Sequence, residues 1–177
     1  MNLEFIDDEG RVNEVDLLVL TPAGLILVEI KSRPGKVQGD AHSWVWETDG
    51  RRSVVDNPLL LANRKAKRLA SVLRRQDAFG RGVNRPPWIA EAIFLSKVMR
   101  PPRIDPGTAR RVFLRGSPRG SIDDGIVAAL TGTHEFDLGR PGSVDMNLMR
   151  ATARAIEQAG IRRRAGSGGS ETTCWAS

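Results

Sequence analysis

The chain has no tyrosine, one cysteine and two histidines among its 177 residues. The cysteine, Cys174, stands near the end of the sequence. An internal disulfide and any zinc site built on cysteines are therefore excluded, and a reducing cytoplasm is the expected compartment. His42 and His134 are too few and too scattered for a histidine metal centre, and each reads as a surface or loop residue. No run of about 18 apolar residues occurs, so no membrane span is expected. Met1-Asn2-Leu3-Glu4 opens with an acid rather than a basic and apolar stretch, so no secretory leader is expected. No glycine-rich kinase loop and no His-Arg-Asp catalytic loop is found. What is left is a chain with 40% hydrophobic and 27% charged residues. That is ordinary for one soluble domain long enough to build a core.

The charge is ordinary in amount but not in distribution. Residues 1–50 hold ten acids and four bases, residues 51–120 four acids and seventeen bases, and residues 121–177 seven acids and six bases. A basic middle beside an acidic edge suits a phosphodiester ligand, with bases on the backbone and acids on a metal. A general enrichment in arginine is the plainer alternative, and the segregation argues against it.

The acidic edge contains the sharpest pattern. Asn13-Glu14-Val15-Asp16-Leu17-Leu18-Val19-Leu20 and Leu25-Ile26-Leu27-Val28-Glu29-Ile30-Lys31 read as two strands around a turn, Thr21-Pro22-Ala23-Gly24. With Leu20 opposite Leu25, Asp16 falls opposite Glu29 and Glu14 opposite Lys31. Alternation then puts Glu14, Asp16, Glu29 and Lys31 on one face. Opposed side chains have Cβ atoms about 5 Å apart. Two carboxylates that close repel unless a cation sits between them, and a hard divalent ion such as Mg²⁺ or Mn²⁺ resolves the conflict. Lys31 would then orient a water or neutralise charge on a phosphate. The alternative is an exposed hairpin end in which Glu14 pairs with Lys31 and Asp16 meets water.

Further along, Ser32 to Asp40 reads as a loop carrying Gln38. Trp44-Val45-Trp46-Glu47 and Ser53-Val54-Val55 flank an Asp49-Gly50 turn, with both tryptophans on one face, for core packing by default and base stacking as the lesser alternative. Asn57 caps a helix that starts at Pro58. Leu59, Ala62, Ala66, Leu69, Leu73 and Gln76 form its buried stripe. Its other positions include Arg64, Lys65, Lys67, Arg68, Arg74 and Arg75, with no acid among them. Like charges at this spacing repel, and an anionic partner would relieve them. Trp88 to Leu95 reads as a buried strand in which Glu91 is a surface position. Arg111 to Leu114 is a short strand. Ser121 caps a helix to about Leu130. Asp145 caps a last helix, Met146 to Gln158, with Met146, Met149, Ala153 and Ile156 inward and Gly160 at its end. Residues 161–177 lack periodicity and read as a disordered tail.

Asp16, followed a dozen residues later by Glu29-Ile30-Lys31, resembles the PD-(D/E)XK nuclease signature. The surrounding residues resemble its nuclease-related (NERD) branch. The likeness rests on Asn13-Glu14-Val15-Asp16, Gly24, Val28-Glu29-Ile30-Lys31-Ser32, Gly35, Trp44, Trp46 and Asp56-Asn57-Pro58-Leu59, and covers roughly residues 3–76. Runs such as Phe5-Ile6-Asp7-Asp8 and Asn63-Arg64-Lys65-Ala66-Lys67-Arg68-Leu69 are similar to the N-terminal region of large serine/threonine kinases of phage-growth-limitation (BREX-type) defence systems. Against those relatives the chain reads as truncated, lacking a helix before Leu3 and a kinase domain after residue 160.

The resemblance implies an α+β, restriction-endonuclease-like fold with a central mixed sheet flanked by helices. It divides the chain into a core (1–100), an α/β extension (101–160) and a tail (161–177). It implies a metal, Mg²⁺ or Mn²⁺, on Asp16, Glu29 and the carbonyl of Ile30. Lys31 would assist, with Glu14 and Gln38 as further catalytic candidates. Arg64, Lys65, Lys67 and Arg68 would contact nucleic acid, DNA foremost. The expected activity is metal-dependent phosphodiester hydrolysis in DNA processing or phage defence. The alternative is a non-cleaving regulatory module working with a kinase or another defence subunit, and no membrane partner is implied.

Overall fold

The computed structural model describes residues 2–22, 24–79, 85–115, 125–131 and 144–163. Its centre is a four-stranded mixed sheet in the order β3 (Leu17–Thr21), β4 (Gly24–Lys31), β8 (Ile89–Leu95), β9 (Val112–Leu114). β3 and β4 are antiparallel, while β4, β8 and β9 run parallel. β4 and β8 are apolar along nearly their whole length, as a strand covered on both faces requires. Leu25, Leu27, Ile89, Ile93 and Leu95 face helix α1 (Pro58–Arg74) in the main core. Ile26, Val28, Ala92 and Phe113 face the other way, against α3 (Ile126–Thr131). The fold is thus α+β and restriction-endonuclease-like, a mixed sheet flanked by helices.

Two smaller sheets complete it. β5 (Lys36–Gly39), β6 (Ser43–Thr48) and β7 (Arg51–Asp56) form an antiparallel meander. The β6–β7 turn has Asp49 at φ 50° and Gly50 at φ 73°, two left-handed residues, as the tightest hairpin turn demands. Trp44 and Trp46 are buried in the main core, as expected. β10 (Arg162–Arg163), β1 (Leu3–Ile6) and β2 (Val12–Val15) form the third sheet.

α1 begins as its sequence dictates. Asn57 Oδ1 accepts the Leu59 N–H at 3.0 Å and Pro58 occupies the first turn, where its missing donor costs nothing. Leu59, Ala62, Ala66, Leu69 and Leu73 form the buried stripe, joined by Val72, while Gln76 lies beyond the helix and half-buried. Asp145 caps α4 (Met146–Gln158), its Oδ1 accepting the Leu148 N–H at 2.7 Å. The short helix α2 (Pro106–Ala109) is capped by Asp105.

Several expectations are corrected. Residues 36–39 are a strand, not loop: Val37 is buried and pairs with Trp46. α4 buries Ala151, Thr152 and Ala155, whereas Met146 is exposed. Small residues let it approach α1 and the 3-10 turn at Asp77–Phe79 closely. Glu91 is buried, not at the surface. Arg162 and Arg163 pair with β1 instead of starting a tail. The Ser121 cap, His134, Cys174 and residues 164–177 lie outside the described residues.

Candidate active site

Asp16 marks the place where one strand becomes two. β2 ends at Val15 and β3 starts at Leu17, and the two belong to different sheets. The β3–β4 register sets Leu17 against Val28 and Leu18 against Leu27. Asp16 stands one residue before that register begins, where the sequence reading sets it opposite Glu29. The Asp16 carboxylate (Oδ2) accepts the Ile30 N–H at 2.7 Å. The bend at Asp16 is thereby tied to the strand carrying Glu29 and Lys31.

Glu14 does not share this place. It lies on β2 opposite Glu4 of β1, not opposite Lys31, and is exposed. The chain turns at Asp16, so alternation cannot be carried through that residue. Gln38 lies on β5 opposite Val45, bridged to Arg103. It lines a cavity of about 250 Å³ with Lys36, Val37, Glu47, Arg100, Pro101 and Arg103. Asp16, Glu29 and Lys31 are not among that cavity's lining residues.

Glu29 is 5% exposed and is held between two ammonium groups. Lys31 Nζ is 3.6 Å from Oε2, and Lys65 Nζ, reaching down from α1, is 2.6 Å from Oε1. A buried carboxylate needs such compensation, because desolvation penalises its charge. With Asp16, these four side chains carry no net charge. Lys65, one of the candidate nucleic-acid contacts, thus reaches Glu29 of the candidate site.

The same edge of α1 continues the pattern. Arg68 reaches Asp7 (3.5 Å) and donates to Asn13 Oδ1 (2.9 Å). Ser71 donates to Asp8 at 2.7 Å, and Arg75 pairs with Asp8. Lys65, Arg68, Ser71 and Arg75 recur at three- and four-residue steps, so one helical edge meets the acids of β4 and the β1–β2 hairpin. Much of the acidic and basic segregation is therefore satisfied within the molecule. Arg64, Lys67 and Arg74 lie on the exposed side.

Asp7 organises that hairpin. Burial opposes its charge. The N–H groups of Arg11 and Glu9 and the side chains of Asn13 and Arg11 nevertheless hold its carboxyl well below the usual range. Behind the site, Glu91 on β8 accepts from Asn63 Nδ2 at 3.1 Å and pairs with Arg111, while its Oε2 is buried without a hydrogen bond.

No group of three or more acids, histidines or cysteines with metal-binding geometry occurs among the described residues. The oxygens available are those of two carboxylates and a backbone carbonyl. That hard, sparse donor set suits Mg²⁺, which retains waters and often takes only one or two protein carboxylates.

The nuclease-related domain family model matches residues 1–96. A probable kinase, PglW, from Streptomyces coelicolor (strain ATCC BAA-471 / A3(2) / M145) is 44% identical over 93 residues, which is 52% of this chain but 6% of that protein. No solved structure matches the chain. The matched segment holds β1 through β8, with Asp16, Glu29, Lys31 and Lys65 all inside it, and the chain belongs to the nuclease-related domain family.

Proposed function

We propose that the chain processes nucleic acid by metal-dependent phosphodiester hydrolysis. The observation that carries this reading is the junction of Asp16 and Glu29 about the Ile30 amide, with Lys31 at its rim. Asp16, Glu29 and the carbonyl of Ile30 would hold the cation, Mg²⁺ or Mn²⁺. The cation, when bound, would lower the pKa of a water and polarise the phosphate. Lys31 carries only donors. It would hold the attacking water or the phosphate oxygen on which charge develops. Arg64 and Lys67, exposed on α1, would hold the backbone through salt-sensitive contacts. DNA is the substrate we favour, in DNA processing or phage defence.

Incubation of the purified chain with plasmid and single-stranded DNA, with Mg²⁺ or Mn²⁺, tests this. Cutting that needs metal and is lost in Asp16→Ala and Lys31→Ala is the expected result. A folded chain that binds DNA without cutting would refute it. That outcome would favour the second reading, a regulatory module attached to a kinase. One observation supports that second reading: Lys65 already satisfies the Glu29 oxygen that a metal would need.

A further inference from the structure

We infer that Lys65 is a resident counter-cation that a divalent metal must displace from Glu29, which makes metal binding at this site competitive with an intramolecular ion pair. The inference rests on the metal-site reading above and adds to it a device carried by α1. Lys65 Nζ sits 2.6 Å from Glu29 Oε1, with side chains 14% and 6% exposed. The contact is short, charged and largely shielded from water, where a hydrogen-bonded pair is strongest. Lys31 is farther from Glu29, at 3.6 Å, and 35% exposed, so Lys65 is the closer of the two cations.

Charge balance makes the two occupants exclusive. Both ammonium groups already sit on Glu29, and with Asp16 the four side chains sum to zero charge. A divalent ion added beside both ammonium groups would leave two uncompensated positive charges in a shielded site, which is costly. Moving Lys65 outward relieves Glu29 but leaves its ammonium beside Arg68, three residues along the same helix edge, where like charges repel. An incoming phosphate backbone removes that penalty. The arrangement therefore couples the metal to the polyanion: each lowers the cost of the other by engaging the released lysine.

Lys65→Met keeps the apolar stem and removes the charge. Calorimetric titration with Mn²⁺ should show tighter binding by Lys65→Met than by the natural chain, by about five- to hundred-fold, the usual size of coupling between two ligands. A second measurement needs no variant. Amine acetylation followed by mass spectrometry should label Lys65 of the natural chain faster with Mn²⁺ than without it, while Lys36, 76% exposed, serves as the reference. Equal or weaker Mn²⁺ binding by Lys65→Met, with Lys65 labelling unchanged or slowed, would overturn the inference and leave the nuclease reading standing. Mn²⁺ binding by Lys65→Met alone would support it, the natural chain then needing the polyanion before it takes the metal. Binding by neither protein would overturn both.

Discussion

Arg111→Met should destabilise the fold by about 3 kcal/mol, although Arg111 touches nothing in the candidate site. Glu91 is 3% exposed in the middle of β8. Its charge is met by Arg111 and by one neutral donor, Asn63, while Oε2 has no partner. Removing one member of a buried ion pair strands the other and typically costs about 3–5 kcal/mol. The Arg111 side chain is 29% exposed, so water can partly replace it, which places the cost at the lower end. With a urea slope of about 2 kcal/mol/M for a domain of this size, the midpoint should fall by about 1.5 M. The double variant Glu91→Leu, Arg111→Met should recover to within about 1 kcal/mol of the natural chain, because an apolar pair of similar volume needs no compensation. Urea unfolding followed by tryptophan fluorescence reads all three proteins. A cost below about 1 kcal/mol for Arg111→Met, or a double variant no better than the single, would refute the argument.

Gly39→Ala should cost about 1–3 kcal/mol, since a Cβ there runs into the Ser43 carbonyl and the Trp44 backbone, neither of which can swing aside; thermal unfolding would register it. Asp7→Asn should destabilise at pH 7 and somewhat less at pH 3, because most of the shift lies below pH 3. The native carboxyl is held below its unfolded value of about 3.9, so its contribution is present above that value and lost as pH falls toward the native one. Unfolding of both proteins at the two pH values checks the sign, and a constant difference would count against it. Arg64→Ala with Lys67→Ala should weaken DNA binding and flatten its salt dependence with little effect on stability, whereas Arg68→Ala should lower stability because it pins Asp7 and Asn13. Filter binding at several salt concentrations, beside unfolding, separates the two classes.

What could be read from the sequence was what local rules decide. The β3–β4 register followed from a turn and two apolar strands. The Asn57 and Asp145 caps followed from side-chain chemistry, and the Asp49-Gly50 hairpin from backbone conformation. What escaped was decided by partners remote in sequence. β2 leaves the β3–β4 hairpin because β1 pairs with it, which moves Glu14 away from Lys31. β5 exists because β6 offers an edge to an otherwise weak Lys-Val-Gln-Gly run. Periodicity marked the buried stripe of α1, but it is silent about what the flanking positions meet. Lys65 therefore read as one basic residue among six, when its spacing from Arg68 and Arg75 matches the acids beneath. Glu91 reads as a surface position because an acid in an apolar strand is usually at its end, and its partner Arg111 comes from twenty residues away.

The pairing of β1 with β10 has a mechanical consequence. Leu3 lies beside Arg163 and Glu4 beside Arg162, so the two ends of the described chain leave one short antiparallel pair on the same side. Tension applied across these ends would peel the pair open rung by rung, like a zipper, rather than shear all its hydrogen bonds at once. β10, two residues long, would yield first and expose the outer edge of β1. Because β2 leads from β1 directly into Asp16, a pull on the chain would next be felt at the bend that holds the candidate site.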